Sequence, residues 1–305
     1  MSSKGPVTPK GFQDMMPDVA SKRRMFVNKI AVVLEKFDFT PLETPTIEFA
    51  ETLLGKYGED EKLIYTFEDR GGRKLALRYD LTVPLARFVS NNLGLLNPTF
   101  ARYQIGQVFR GEKPQKGRSR EFTQFDCDIV GSESVNDDAK VIAASIEGMR
   151  AMNFNKARLA INDRGNFKDL SIDEIRLIDK MYKIGKENMP QSLLDFIAKS
   201  TPTPRLLEIF KILESDYKLK KDVNFFFDPT LARGLDYYTS TIFEMKLNGL
   251  PSDLSVGGGG RYDNLIGMFL PAGKAGAERQ IPAVGFSFGI DRIIELIWHQ
   301  EFALI

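Results

Sequence analysis

The chain carries one cysteine, one histidine and one tryptophan in 305 residues. A lone Cys127 excludes an internal disulfide, and a lone His299 leaves too few soft ligands for a zinc cluster. Catalysis by a Cys/His pair is disfavoured on the same ground, since His299 sits in a Trp-His-Gln segment near the end. No apolar run approaches the ~18 residues that suggest a membrane span. Met1 to Thr8 is polar and short, with neither the apolar stretch of a secretion signal nor the Arg-rich pattern of a transit peptide, so the expected compartment is the cytoplasm. Charge of one sign is also missing. Lys and Arg number 42 against 41 Asp and Glu, a net charge of +1, so composition gives no sign of a generally basic nucleic-acid binder, and any polyanion site must be local.

What is present suffices for a large core, with 43% hydrophobic residues. Phe26, Ile30, Val33 and Phe37 share one face of a helix expected over Met25 to Phe37, with Asp18 or Ser21 as its cap. Phe39 to Glu48 turns to β-branched residues and holds Pro41 and Pro45, which suits an edge strand able to pair with a second subunit. Short alternating runs between Tyr65 and Leu77 flank Gly71-Gly72, a hairpin turn. Phe100 to Arg110 and Glu121 to Val130 read as a second strand pair. They are joined by a loop in which Arg110, Lys113, Lys116, Arg118 and Arg120 outnumber Glu112. A helix is expected over 137–152.

From Asp163 the pattern becomes helical, with a capping box at Ser171-Ile-Asp-Glu174 and punctuation by Pro190 and Pro204. Strand patterns return at Asn224 to Phe227 and Thr239 to Leu247. Gly257 to Gly260 follow, and Val284 to Phe288 lead into a last helix. This order divides the chain into core residues 1–162, a helical insertion at 163–220 and further core at 221–305. Consecutive strands with segregated helices argue for an α+β fold on an antiparallel sheet. In the Glu121 to Val130 strand, period two puts Phe122, Gln124, Asp126 and Asp128 on one face, mainly polar, and Thr123, Phe125, Cys127 and Ile129 on the other. Arg102, Gln104, Gly106 and Arg110 likewise share a face of the partner strand.

The stretch from Thr99 to Asp128, with Phe-Arg-Gly-Glu at 109–112, resembles motif 2 of the class II aminoacyl-tRNA synthetases, in the form used by histidyl-tRNA synthetases. Phe37 to Pro45 resembles motif 1, and Gly285-Phe-Ser-Phe-Gly-Ile-Asp-Arg292 resembles motif 3. Leu231 to Thr239 (Leu-Ala-Arg-Gly-Leu-Asp-Tyr-Tyr-Thr) and Ser255 to Asp263 (Ser-Val-Gly-Gly-Gly-Gly-Arg-Tyr-Asp) resemble the two signatures peculiar to the histidyl enzymes. Tyr79-Asp80 resembles the eukaryotic and archaeal type.

The resemblance implies a class II-like antiparallel sheet flanked by helices, histidine activation with ATP and Mg2+, transfer to tRNA(His), and a homodimer built on motif 1. It implies Arg110 and Arg233 as catalytic residues near the α-phosphate, with ATP held by Arg110, Glu112, Phe122 and Arg292. Histidine would be held by Asp80, Thr82, Gln124, Asp128, Tyr237 and Tyr238, with Asp128 and Tyr238 reading the imidazole. Lys113, Lys116, Arg118 and Arg120 are candidates for the tRNA acceptor end. No metal ligands are assigned. The α/β anticodon-binding domain usual in the family is not expected after Arg292. That leaves open an alternative, the synthetase-like accessory subunit of ATP phosphoribosyltransferase, although paralogues of that kind typically lose parts of these signatures.

Overall fold

A computed structural model describes residues 6–114, 118–232, 237–247, 255–270 and 280–299. The chain opens with helix α1 (Pro17–Lys36), whose Phe26, Ile30 and Leu34 are buried. It begins earlier than the apolar spacing suggests because Pro17 occupies its first turn, where a missing N–H costs nothing. No side chain caps it: Asp18 lies inside the first turn, and Ser21 Oγ donates instead to the Pro17 carbonyl at 2.7 Å.

The next apolar stretch is split between two sheets. Strand β1 (Thr40–Pro41) pairs in parallel with β5 (Phe100–Phe109). Strand β2 (Ile47–Phe49), followed by the single-turn helix α2 (Ala50–Leu53), pairs with β4 (Lys74–Leu77), itself in a hairpin with β3 (Thr66–Glu68). Two prolines a few residues apart prevent one continuous ladder, since neither can donate to a neighbour. The hairpin turn falls where the glycines predict, with Gly72 at φ +75° and Asp69 Oδ1 accepting from Gly71 N and Arg73 N.

The large sheet has eight strands in the order β1-β5-β6-β11-β10-β9-β7-β8. Beyond β5 these are β6 (Glu121–Val130), β7 (Ala157–Asp163), β8 (Phe225–Phe227), β9 (Thr241–Leu247), β10 (Ser255–Arg261) and β11 (Ala283–Gly289). The sheet is antiparallel except for its two outer pairs, β1 with β5 and β7 with β8. Gly257 to Gly260 form a strand inside this sheet, with Gly258 and Gly259 in register with Ser287 and Phe286 of β11 and with Glu244 and Phe243 of β9.

One face of the sheet carries Phe125, Cys127, Ile129, Leu159, Phe243, Phe286 and Phe288 into the main core. There they meet α1, α4 (Val135–Ala151), α8 (Pro204–Ser215) and α9 (Ile290–His299). The other face lies toward α3 (Thr82–Asn92) and the helices of residues 172–199: α5 (Ile172–Asp179), α6 (Met181–Ile184) and α7 (Gln191–Lys199). The capping box at the start of α5 is formed, Ser171 and Glu174 satisfying each other's backbone N–H groups. Among the described residues no helix is long and apolar enough to cross a membrane.

Candidate active site

Strand alternation puts a polar stripe into a cleft of about 500 Å³ on the second face of the sheet. Phe122, Gln124, Asp126 and Asp128 of β6 all line it, while Thr123 hydrogen-bonds behind them to Gln107 and to the Asp291 carboxylate. The polar face is not a solvated one: Gln124, Asp126 and Asp128 are all buried. At ~3.3 Å per residue the stripe runs roughly 20 Å from Phe122 to Asp128.

Its outer end gathers the arginines of the cleft. Arg110, just past β5, lies over the Tyr79 ring at 4.3 Å and the Phe122 ring at 5.1 Å, and its Nε donates to the Tyr79 carbonyl at 3.2 Å. Two aromatic faces and a carbonyl thus fix this guanidinium on the cleft wall. Arg292, in the first turn of α9, donates to the Ser255 carbonyl at 2.7 Å, and burial lowers its pKa, with Arg118 and Arg110 adding repulsion. Asp291 beside it accepts from Thr123 N at 2.7 Å, which pins α9 to β6. Arg118 and Glu112 face each other at 3.6 Å on the rim.

The inner end is acidic. Asp80 sits just before α3, and its Oδ1 accepts from Tyr57 Oη and from the N–H groups of Thr82 and Val83, all at 3.0–3.1 Å. Burial raises its pKa, and those donors together with the Arg110 charge oppose the rise. Asp128 pairs with the fully buried Arg102 at 2.7 Å and accepts from Tyr262 Oη. Burial also raises the pKa values of Asp126 and Asp128, with Arg102 opposing. Tyr237 and Tyr238 pack against each other at 5.0 Å, and Tyr262 meets Tyr237 edge-on at 6.1 Å.

Gly257, Gly258 and Gly259 form part of the wall with bare backbone. A Cβ on Gly259 would fall 1.9 Å from the Gly285 carbonyl, and one on Gly260 would fall 2.8 Å from the Tyr238 ring, so this close packing admits no side chain.

The structure thus gathers Asp80, Thr82, Arg110, Glu112, Arg118, Phe122, Gln124, Asp128, Tyr237, Tyr238 and Arg292 around one cleft. Lys113 is exposed on the loop outside it. Arg120 faces the N-terminal segment, its Nε donating to the Glu112 carbonyl at 2.9 Å and its backbone N–H to the Gly11 carbonyl at 2.8 Å. Arg233 and Lys116 lie outside the described residues. Sequence reasoning assigned no role to Tyr57, Arg102 or Tyr262, which reach the site from separate segments. Arg102 carried a signal as a member of the shared face of β5 and Tyr262 as the residue after Arg261 in the glycine-rich signature, whereas Tyr57 carried none.

A sequence profile of histidyl-tRNA synthetases matches residues 11–184 and 185–293. The chain belongs to the histidyl-tRNA synthetase family. Histidine--tRNA ligase of Aeropyrum pernix is 41% identical, over 97% of this chain and 75% of its own length. The crystal structure of histidyl-tRNA synthetase from Nostoc sp. PCC 7120 superposes with a TM-score of 0.78 at 30% identity, over 97% of this chain and 76% of that one. An ATP phosphoribosyltransferase regulatory subunit/histidyl-tRNA synthetase from Bacillus halodurans gives a TM-score of 0.76 at 22% identity, over 95% and 82% of the two chains, which is a likeness of fold. The α+β architecture is that of the family's catalytic core.

Proposed function

We propose that the chain activates histidine with ATP to histidyl-adenylate and transfers it to the 3′ end of tRNA(His). Family membership names the reaction. The observation that carries it is the polarity of the cleft, with arginines at one end and buried carboxylates at the other. Activation joins a triphosphate to an amino acid that bears a cationic ammonium, and these two ends suit the two substrates.

In this reading Phe122 and Arg292 sandwich adenine, and Arg110 faces the α-phosphate. Asp80 and Thr82 take the α-ammonium, and Gln124, Asp128, Tyr237 and Tyr238 enclose the rest of histidine. The histidine carboxylate attacks the α-phosphorus in line as pyrophosphate leaves. No side-chain nucleophile or base is required, because the work is alignment and neutralisation of two approaching anions. Arg233 is assigned to the same phosphate on its place in the Arg-Gly-Leu-Asp-Tyr-Tyr signature.

Among the described residues no three His, Cys, Asp or Glu side chains gather to hold a metal by themselves. The chemistry suits Mg2+ that arrives with ATP, since that ion keeps waters and phosphate oxygens and needs only one or two carboxylates. Glu112 and Glu244 on the cleft wall are the donors proposed for it. Arg118 on the rim and Lys113 and Lys116 on the loop are proposed to meet the acceptor end of tRNA, in the cytoplasm.

A homodimer is proposed on the small sheet. Ile47, Phe49 and Phe67 are 46%, 50% and 40% exposed, and Phe49 and Phe67 flank Leu75 in register. The regulatory-subunit alternative predicts an eroded cleft, whereas Arg110, Tyr237, Tyr238 and Arg292 are all retained. ATP–pyrophosphate exchange against the twenty amino acids, without tRNA, tests the reading. Exchange with histidine alone is expected; a folded chain exchanging with none would overturn it.

A further inference from the structure

Three carboxylates face the inner cleft, and they differ in what already occupies them. Asp128 has Tyr262 Oη on one oxygen and Arg102 Nη2 at 2.7 Å from the other. Asp80 Oδ1 has three donors. Asp126 lies one alternation from Asp128 on the same strand face and is 2% exposed. It is hydrogen-bonded to Ser287, yet its Oδ1 is buried with no hydrogen-bond partner. Two other acceptors on that face, Gln124 Oε1 and Asp128 Oδ2, also lack a hydrogen bond, but Asp128 Oδ2 is met by the Arg102 charge, whereas Asp126 Oδ1 has no ion pair among the described residues either. A buried acceptor is normally paired, and one left bare on the wall of a ligand cleft is aimed at a donor the ligand supplies.

We propose that Asp126 is a specificity-determining residue of this site, the carboxylate that receives an N–H donor of the bound amino acid. This rests on the histidine-activating reading above and extends it to a residue outside the set inferred there. The donor is the α-ammonium or the imidazole N–H, which share the chemistry of a positively polarised nitrogen. A substrate lacking that donor leaves the buried oxygen unpaired and is rejected for that reason.

The electrostatics agree. Arg102 of β5 faces Asp126 and Asp128 together, Asp80 approaches from the loop before α3, and Arg78 at the end of β4 is also within range. Burial raises the Asp126 pKa, Arg102 opposes this, and the charges of Asp128 and Asp80 add to it. Holding that charge without a ligand is therefore costly, and a cationic donor from the ligand offsets the cost. Removing the charge should relieve the empty protein while weakening the complex, a combination that loss of a structural contact does not give.

The test is calorimetric titration of the wild-type chain and Asp126→Asn with histidine, with a desamino analogue and with histidines methylated on either ring nitrogen, followed by melting curves at pH 8. Expected for Asp126→Asn are at least a tenfold loss of histidine affinity, unchanged ATP binding and a higher melting temperature without ligand. If Asp126 holds the ammonium, the desamino analogue binds both proteins equally. If it holds the ring N–H, that analogue loses affinity in step with histidine, and either pattern supports the proposal. Histidine affinity within twofold of wild type would overturn it. A wild-type chain that does not bind histidine would instead sink the functional reading beneath it.

Discussion

Tyr57 illustrates how a single hydroxyl can set the working range of the site. Its Oη donates to Asp80 at 3.0 Å while its ring lies 4.6 Å from Tyr79, the residue on which Arg110 rests. Tyr57→Phe keeps the ring and removes one of three donors on the carboxylate. Hydrogen bonds to charged groups are worth about 1.5–3 kcal/mol, so the KM for histidine should rise roughly tenfold or more, while the KM for ATP stays constant. The sign of the pH effect follows from Asp80, which must be ionised to hold an ammonium. Burial raises its pKa and the Tyr57 hydroxyl lowers it. Without that hydroxyl the acid limb of kcat/KM for histidine moves to higher pH, which exchange rates across the acid range will show; an unmoved limb refutes the role. None of this was legible in the sequence. Tyr57 sits 23 residues before Asp80 and belongs to no motif, whereas the β6 stripe was readable because alternation within one strand is a local property.

At the level of elements, β10 shows where local chemistry misleads. Four consecutive glycines carry the signature of a flexible turn, because glycine in a strand interior gives up conformational freedom and packs no side chain. The neighbours decide otherwise: β11 and β9 flank this strand closely enough that the space for a side chain is taken by the Gly285 carbonyl and the Phe243 ring. Gly259→Ala therefore has to separate two paired strands, and the cost should reach or exceed the upper end of the ~1–3 kcal/mol typical of overpacking. Urea denaturation should show it as a lower midpoint, or as no folded protein. Gly94→Ala is the matched control, since a Cβ there meets nothing within 4 Å. Equal stability of the two variants would show that β10 and β11 can part without penalty. The split of residues 40–49 between two sheets has the same origin: the prolines announce an interruption, but which sheet takes each half depends on partners distant in sequence.

Across the whole molecule, the succession of a first helix, strand pairs, a helical stretch and a last helix was readable because those elements carry their own period, whereas α3, β7 and the glycine strand β10 were not. What a single chain cannot display in its sequence is which apolar surface a second chain covers. The three-stranded sheet turns Glu48 and Ala76 inward and leaves Ile47, Phe49 and Phe67 outward. Exposed apolar side chains in register across neighbouring strands are uncommon on a monomer's surface unless something binds there, and β1 adds a short strand at the edge of the large sheet nearby in sequence. If a second copy covers this face, placing charge at its centre must break the assembly while leaving the cleft intact, because neither Phe49 nor Phe67 lines the cleft. Sedimentation at micromolar concentration should give a dimer for the wild-type chain and a monomer for Phe49→Lys combined with Phe67→Lys. Histidine binding by the monomer then reports whether each cleft is complete within one chain. A variant that sediments as the wild type does would move the interface elsewhere.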